Sequence, residues 1–257
     1  MMQNINWDER ALNSELEFSK ALLSRPIEYP DFIHMYNSHV AWSGDFNRAL
    51  RVRITDFQSF DNIKSQIEQI HQEKRLEKPD RFDIRMPALD EKQWHDHLQK
   101  MGYGLQTAIF FNALAKEIEL PAGYSLYSPT NAEYFDWYSG LAKSQGYYDE
   151  GWFKQLIPLK ANFIQVFKPY WLMKNKNLVG WVYSANLGKY CRLFEVEIEQ
   201  HFQGQGMGRL LLQAMIGEGY RQRAEYILLQ SNDRLRPFYE KCGFIECSRN
   251  SVIRLAQ

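Results

Sequence analysis

Between His201 and Met215 the chain reads HFQGQGMGRLLLQAM, with Gly204, Gly206 and Gly208 running directly into leucines. Glycine reaches left-handed backbone conformations and leaves no Cβ in front of neighbouring amides, while the first N–H groups of a helix have no partner inside it. Met207, Leu210, Leu211, Ala214 and Met215 recur at i, i+3, i+4, i+7 and i+8, so a helix with one apolar face starts inside or just after the glycines. Its positive end faces whatever the loop holds, and a phosphate or pyrophosphate suits that position. The plainer alternative is a tight turn leading into a surface helix. Two other phosphate motifs do not fit: a dinucleotide fingerprint from Gly204 needs glycine where Arg209 stands, and a P-loop needs GK[ST].

The flanking segments alternate helical and strand periods. Trp7 to Leu23 has helical spacing and stops at Arg25-Pro26; FNRALRVRIT alternates like a strand; Phe60, Ile63, Ile67 and Ile70 line one face of a polar helix; RFDIRMP is a short strand. A helix, a glycine break and a strand follow through DEKQWHDHLQKMGYGLQTAIFFNA. After Leu120-Pro121 the pattern gives a strand at GYSLYS, helices over Asn131–Ala142 and Glu150–Leu159, and strands near Tyr170–Met173, Leu178–Ala185 and Tyr190–Ile198. The glycine loop, its helix, the strand EYILLQS, a short helix and a last strand complete the chain. Such alternation predicts a mixed α/β sheet.

With 257 residues the chain can bury a large core, and 31 basic against 31 acidic residues give no bias toward nucleic acid or an anionic membrane. Cys191, Cys242 and Cys247 form no CxxC pair, which predicts free thiols in a reducing cytoplasm. No stretch approaches the ~18 apolar residues of a membrane span, and the acidic, amphipathic N-terminus does not read as a secretion signal. An internal echo aligns Lys100-Met101-Gly102-Tyr103 with Lys241-Cys242-Gly243-Phe244, each after a short helix and before a strand. It predicts a duplication, with one domain over residues 1–120 and another over residues 121–257.

The second half resembles the GCN5-related N-acetyltransferase (GNAT) superfamily. The resemblance rests on Gln203-x-x-Gly206-x-Gly208, with Phe202 before it and the strand RLFEVEI ahead, and on Asn232-Asp-Arg-Leu-Arg-Pro-Phe238-Tyr239-Glu-Lys-Cys-Gly243-Phe244 some thirty residues later. It spans roughly Gly123 to Leu255 and implies a complete C-terminal GNAT fold, with the first 120 residues a degenerate copy lacking a glycine loop. Gln203 stands where arginine is commoner and Leu235 where a small residue is, which implies weaker pyrophosphate binding.

The resemblance further implies acetyl-CoA as co-substrate and no metal. Its pyrophosphate would lie on backbone amides from Gly204, Gln205, Gly206, Met207, Gly208 and Arg209, helped by the Gln203 side chain, with Asn232 and Phe238 also lining the coenzyme site. An amide near Val196 to Ile198 would polarise the thioester carbonyl, an amine would attack directly, and Tyr239 would protonate the departing thiolate. Glu197 is the candidate base, though Glu195 shares its strand and either carboxylate could instead be structural. Tyr147, Tyr148 and Asp149 fall where this fold builds the acceptor mouth, within an aromatic cluster that includes Tyr134, Phe135, Trp137, Tyr138 and Trp152. His95 and His97, at i and i+2 on a helix, point apart and read as surface residues, and Cys191 as a small buried hydrophobe. The expected partner is a small-molecule or peptide amine, with no nucleic acid and no membrane and with a homodimer allowed for. The competing reading is a non-catalytic acyl-CoA binding or sensing protein.

Overall fold

The computed structural model describes residues 5–40, 46–76, 81–84, 91–146, 148 and 150–255. The chain divides into two compact units, Met1–Ile109 with Ser248–Gln257, and Phe110–Cys247.

The first unit opens with α1 (Trp7–Ala21), whose start is capped by the Asn6 side chain accepting from the Glu9 amide at 3.2 Å. Strands β1 (Arg25–Glu28) and β2 (Ile33–Tyr36) follow, and neither is expected from the sequence, because β1 is almost wholly exposed and β2 is buried on both faces, so neither carries the alternation of a half-buried strand. Pro26 is tolerated because β1 is the edge of its sheet. Then come β3 (Ala49–Val52), α2 (Phe57–Glu73), β4 (Arg81–Ile84), α3 (Glu91–Lys100) and β5 (Tyr103–Leu114). Helix α2 begins at Asp56, whose carboxylate accepts from the Ser59 amide at 2.7 Å while Ser59 Oγ accepts from the Asp56 amide at 3.0 Å. Its apolar face is the expected one: Phe60, Ile63, Ile67 and Ile70 are buried against Val52, Trp94, Leu98 and Ile253. His97 stacks on Phe57 at 4.4 Å and its Nε2 lies 3.2 Å from Asp61, so it ties α3 to α2. The sheet order in this unit is β1-β2-β3-β4-β11-β5, where β11 is Ile245–Leu255. The division between units falls within β5 and within β11.

The second unit contains β6 (Tyr124–Tyr127), α4 (Asn131–Ser144), α5 (Gly151–Val166), β7 (Lys168–Lys174), β8 (Asn177–Asn186), β9 (Tyr190–Ile198), α6 (Met207–Arg221), β10 (Tyr226–Ser231) and α7 (Arg236–Lys241). With the ends of β5 and β11 they form a mixed sheet in the order β11-β5-β10-β9-β8-β7-β6, antiparallel from β6 to β9 and parallel between β9 and β10. Helix α6 packs on β8, β9 and β10, and its Glu218 and Gln222 bond Tyr170 on that face. On the other face Tyr134 of α4 shares a 3.0 Å hydrogen bond with Tyr183, and Phe163 of α5 packs on the same tyrosine. Helix α5 runs past Pro158 to Val166, seven residues beyond the expected end at Leu159. Proline removes one ladder bond, but Leu159, Phe163, Ile164 and Phe167 are all buried, and that packing carries the helix through.

The two echoed segments have the same local build. Gly102 follows α3 with φ +78° and its amide bonds the Gln99 carbonyl at 3.1 Å; Gly243 follows α7 with φ +89° and its amide bonds the Glu240 carbonyl at 3.0 Å. Each ends a helix in the left-handed conformation that lets a strand start at once.

Candidate active site

The site is organised by β9. Its parallel register with β10 pairs Tyr190 with Tyr226, Cys191 with Ile227 and Arg192 with Leu228, and goes no further. Beyond Arg192 the ladder between β9 and β10 stops, so the two strands part toward Ile198, the arrangement into which an extended ligand can fit. On the other edge the register with β8 slips: Trp181 pairs with Glu197 but Tyr183 with Phe194, so three steps on β9 face two on β8. The slip is a bulge at Glu195 and Val196, and Glu195 has φ +49°, uncommon for a residue with a side chain. Alternation therefore breaks between Glu195 and Glu197.

The glycine loop lies at the end of this strand. Gly204 and Gly206 have φ +73° and +80°, and Gly206 caps α6 with no side-chain hydrogen bond at the helix start. The first backbone bond of the helix runs from the Leu210 amide to the Gly206 carbonyl at 3.2 Å, which leaves the amides of Met207, Gly208 and Arg209 outside the helical ladder. A Cβ at Gly204 or Gly206 would meet nothing within 4 Å, so the loop is open on that side. At Gly208 a Cβ would stand 3.0 Å from the Phe238 ring and 3.8 Å from Ile198, which shows Phe238, Ile198 and the helix start converging. Gln203 donates from Nε2 to the Ile198 carbonyl at 3.0 Å, and Gln205 donates to the His201 carbonyl at 2.7 Å. These side chains brace the loop from behind, and their amide nitrogens are committed there. Asn232 is exposed and stands before the short turn that leads into α7.

Tyr239 is buried, 7 % exposed, among Phe111, Phe238 and Phe244. Burial is the main cause that pushes its phenol above the usual value; a hydrogen bond from Ser231 works against this, and the charges of Cys242 and Glu197 add to it. The hydroxyl therefore stays protonated at neutral pH and lies within electrostatic reach of Glu197. Glu197 keeps access to solvent, and its carboxyl is raised first by partial desolvation and then by the charge of Glu195. Tyr148 packs on Phe153 at 5.7 Å with the Lys143 ammonium 4.6 Å from its ring. Tyr147 and Asp149, expected beside it, lie outside the described residues.

Three neighbours are not singled out by sequence: Ser231, Arg192 and Lys160. Arg192 is buried, donates to the Leu193 carbonyl at 2.6 Å and to Gln230 at 3.2 Å, and lies over the Phe110 ring. Lys160 lies beyond Pro158, in the part of α5 where no helix is expected, so no spacing could point to it. Its ammonium is 3.8 Å from Glu195 Oε1 and 5.0 to 5.6 Å from the rings of Tyr183, Phe163 and Tyr138. Cys191 is buried with its thiol pushed up to about 11, chiefly by desolvation, as a packing residue should be. Among the described residues no group of three or more His, Cys, Asp or Glu side chains could hold a metal, and no helix is long and apolar enough to cross a membrane.

Parted parallel strands beside a glycine-capped helix are joined by a family match over residues 150–254, to the acetyltransferase (GNAT) domain. Residues 150–254 are thus similar to the GNAT acetyltransferase domain. The match covers β8, β9, the glycine loop, α6, β10 and α7, while Tyr148 lies just before it. Solved structures with the same fold include a functionally unknown conserved protein from Staphylococcus epidermidis ATCC 12228, 12% identical with TM-score 0.69, covering 91% of this chain and 95% of that one. A GCN5-related N-acetyltransferase from Kribbella flavida is 13% identical with TM-score 0.66, covering 96% and 95%. A tandem GNAT protein from the clavulanic acid biosynthesis pathway is 15% identical with TM-score 0.51, covering 80% and 73%. At these identities the likeness is one of fold. The matched range thus contains the glycine loop, β9 and Tyr239, all within one compact unit.

Proposed function

We propose that the second unit is an acyl-CoA dependent N-acyltransferase that moves an acetyl group from acetyl-CoA to a primary amine by direct attack in a ternary complex. The observation that carries this reading is the opened β9 edge ending at a helix start that no side chain caps. The backbone amides from Gly204 to Arg209 suit a pyrophosphate, and the free edge of β9 suits the amide-bearing pantetheine arm, which can pair with it as a strand would. An amide in Val196–Ile198 polarises the thioester carbonyl as the amine nitrogen forms its bond to carbon and the carbon–sulfur bond breaks. Glu197 takes the proton that the amine must lose, through water if needed, and Tyr239 gives its own to the thiolate. The acceptor enters beside Tyr148 and its neighbours. We further propose that the first unit is a degenerate copy of this fold, on the strength of the matching helix–glycine–strand segments at Gly102 and Gly243.

Acetyl-CoA should raise the melting temperature, since ligand at ~100 times its dissociation constant stabilises by about 2.7 kcal/mol. A panel of primary amines followed by thiol release then separates an enzyme from a sensor. Binding without transfer to any amine class would support the sensor, and no binding would overturn both.

Tyr239→Phe tests the acid. It retains the ring between Phe111 and Phe244 and deletes the hydroxyl. A thiol of pKa ~8.5 is already a fair leaving group, so turnover should fall roughly 10- to 100-fold with coenzyme affinity little changed. The deficit should shrink above pH ~9, where the thiolate no longer needs a proton. Full turnover at neutral pH with chemistry rate-limiting would make Tyr239 a packing residue only.

A further inference from the structure

A lysine buried among aromatic rings is costly unless its charge does something a hydrophobe could not. Lys160 is such a residue: its side chain is 13% exposed, with Tyr183, Phe163 and Tyr138 around the ammonium at 5.0, 5.1 and 5.6 Å and Glu195 Oε1 at 3.8 Å. Methionine would fill the same space without a charge to desolvate. The ring faces partly replace the lost hydration, and among the described residues the carboxylate that reaches the ammonium belongs to the residue at the bulge.

That residue is under conformational constraint. Glu195 has φ +49°, and the one-residue slip between Trp181↔Glu197 and Tyr183↔Phe194 surrounds it. A left-handed glutamate persists only where its surroundings hold it. Here the carboxylate is drawn toward α5, while Val196 and Ile198 continue the edge left open by β10. If the carboxylate were released, the strand could relax toward regular pairing with β8, which would turn the amides after Glu195 away from the cleft.

We propose that Lys160 is a positioning residue for the acyl group: by holding the Glu195 carboxylate on the α5 side of β9 it fixes the bulge from which the thioester-polarising amide points. The inference rests on the N-acyltransferase reading above. Lys160 touches neither substrate and acts through Glu195 alone.

The test is the carbonyl stretch of bound acetyl-CoA labelled with carbon-13 at the thioester carbon, read by difference infrared spectroscopy beside turnover. In the native protein the band should move to lower frequency than in water, as a polarised carbonyl does. Lys160→Met should lose most of that displacement and roughly 10- to 100-fold in turnover, with coenzyme affinity retained and the melting temperature no lower, since a buried charge has gone. Glu195→Gln, which keeps the side chain's size and surroundings, should give the same spectral loss and guards against a Lys160→Met protein that fails to fold. Added to Glu195→Gly, Lys160→Met should cost nothing further, because the group it acts through is already absent. A displaced band that survives Lys160→Met or Glu195→Gln, or a full added loss in the Glu195→Gly background, overturns the inference while leaving the acyltransferase reading intact. A native protein that binds no acetyl-CoA overturns that reading and this inference with it.

Discussion

Gly206→Asp should weaken acetyl-CoA binding by at least ~100-fold, or about 2.7 kcal/mol, and remove the thermal shift. The new side chain meets no protein atom within 4 Å of its Cβ, so a clash is not the cause. Two other effects combine. The residue has φ +80°, which disfavours any side chain, and a carboxylate at the helix start satisfies the amides that are meant for the incoming phosphate and repels it. Gly206→Asn separates them, because asparagine tolerates the left-handed region and carries no charge. Calorimetric titration should rank native, Asn and Asp in falling affinity. An Asp variant that binds as the native protein does would put the coenzyme elsewhere.

Glu197→Gln should lower turnover by ~100-fold at neutral pH, within the range of general bases. The pH profile supplies the sharper signature. A base works only when ionised, and desolvation together with Glu195 raises this carboxyl, so the acid-side fall in kcat/KM should lie above the ordinary carboxylate range. Below that pKa the native enzyme loses activity as protons bind; the Gln variant should be slow throughout and lack this limb. If the limb remains in the variant, the proton is taken by another group, and Glu197 contributes only its charge near Tyr239.

What could be read from sequence was whatever rests on local patterns. The glycines announced the helix start because left-handed φ and open amides leave few residue choices, and the one-face pattern of α2 gave its buried side; in α6 Leu211, Ala214 and Met215 are buried as expected, but Met207 and Leu210 are half-buried and Leu212 and Ile216 are buried as well. Alternation along RLFEVEI could not say which way Glu195 and Glu197 point, since the bulge depends on the register with β8. Lys160 was invisible for a different reason. A proline two residues earlier normally ends a helix, and only the buried Phe163 and Phe167 beyond it, stacked at 4.9 Å, show that this one continues. Strands β1 and β2 show no period because one is exposed and the other buried on both faces, and β5 and β11 each read as one strand although the chain's division into units falls within both.

The starts of α2 and α6 are built to opposite ends. Helix α2 satisfies its own first turn with the Asp56 carboxylate, a cap of the kind that typically contributes about 1 kcal/mol. Helix α6 forgoes that contribution, with a bare glycine at the same place. The first is a finished piece of structure, indifferent to what the solution contains. The second is left short by the worth of one cap, so on the proposed reading its rigidity becomes a quantity that the cell would set through its supply of coenzyme.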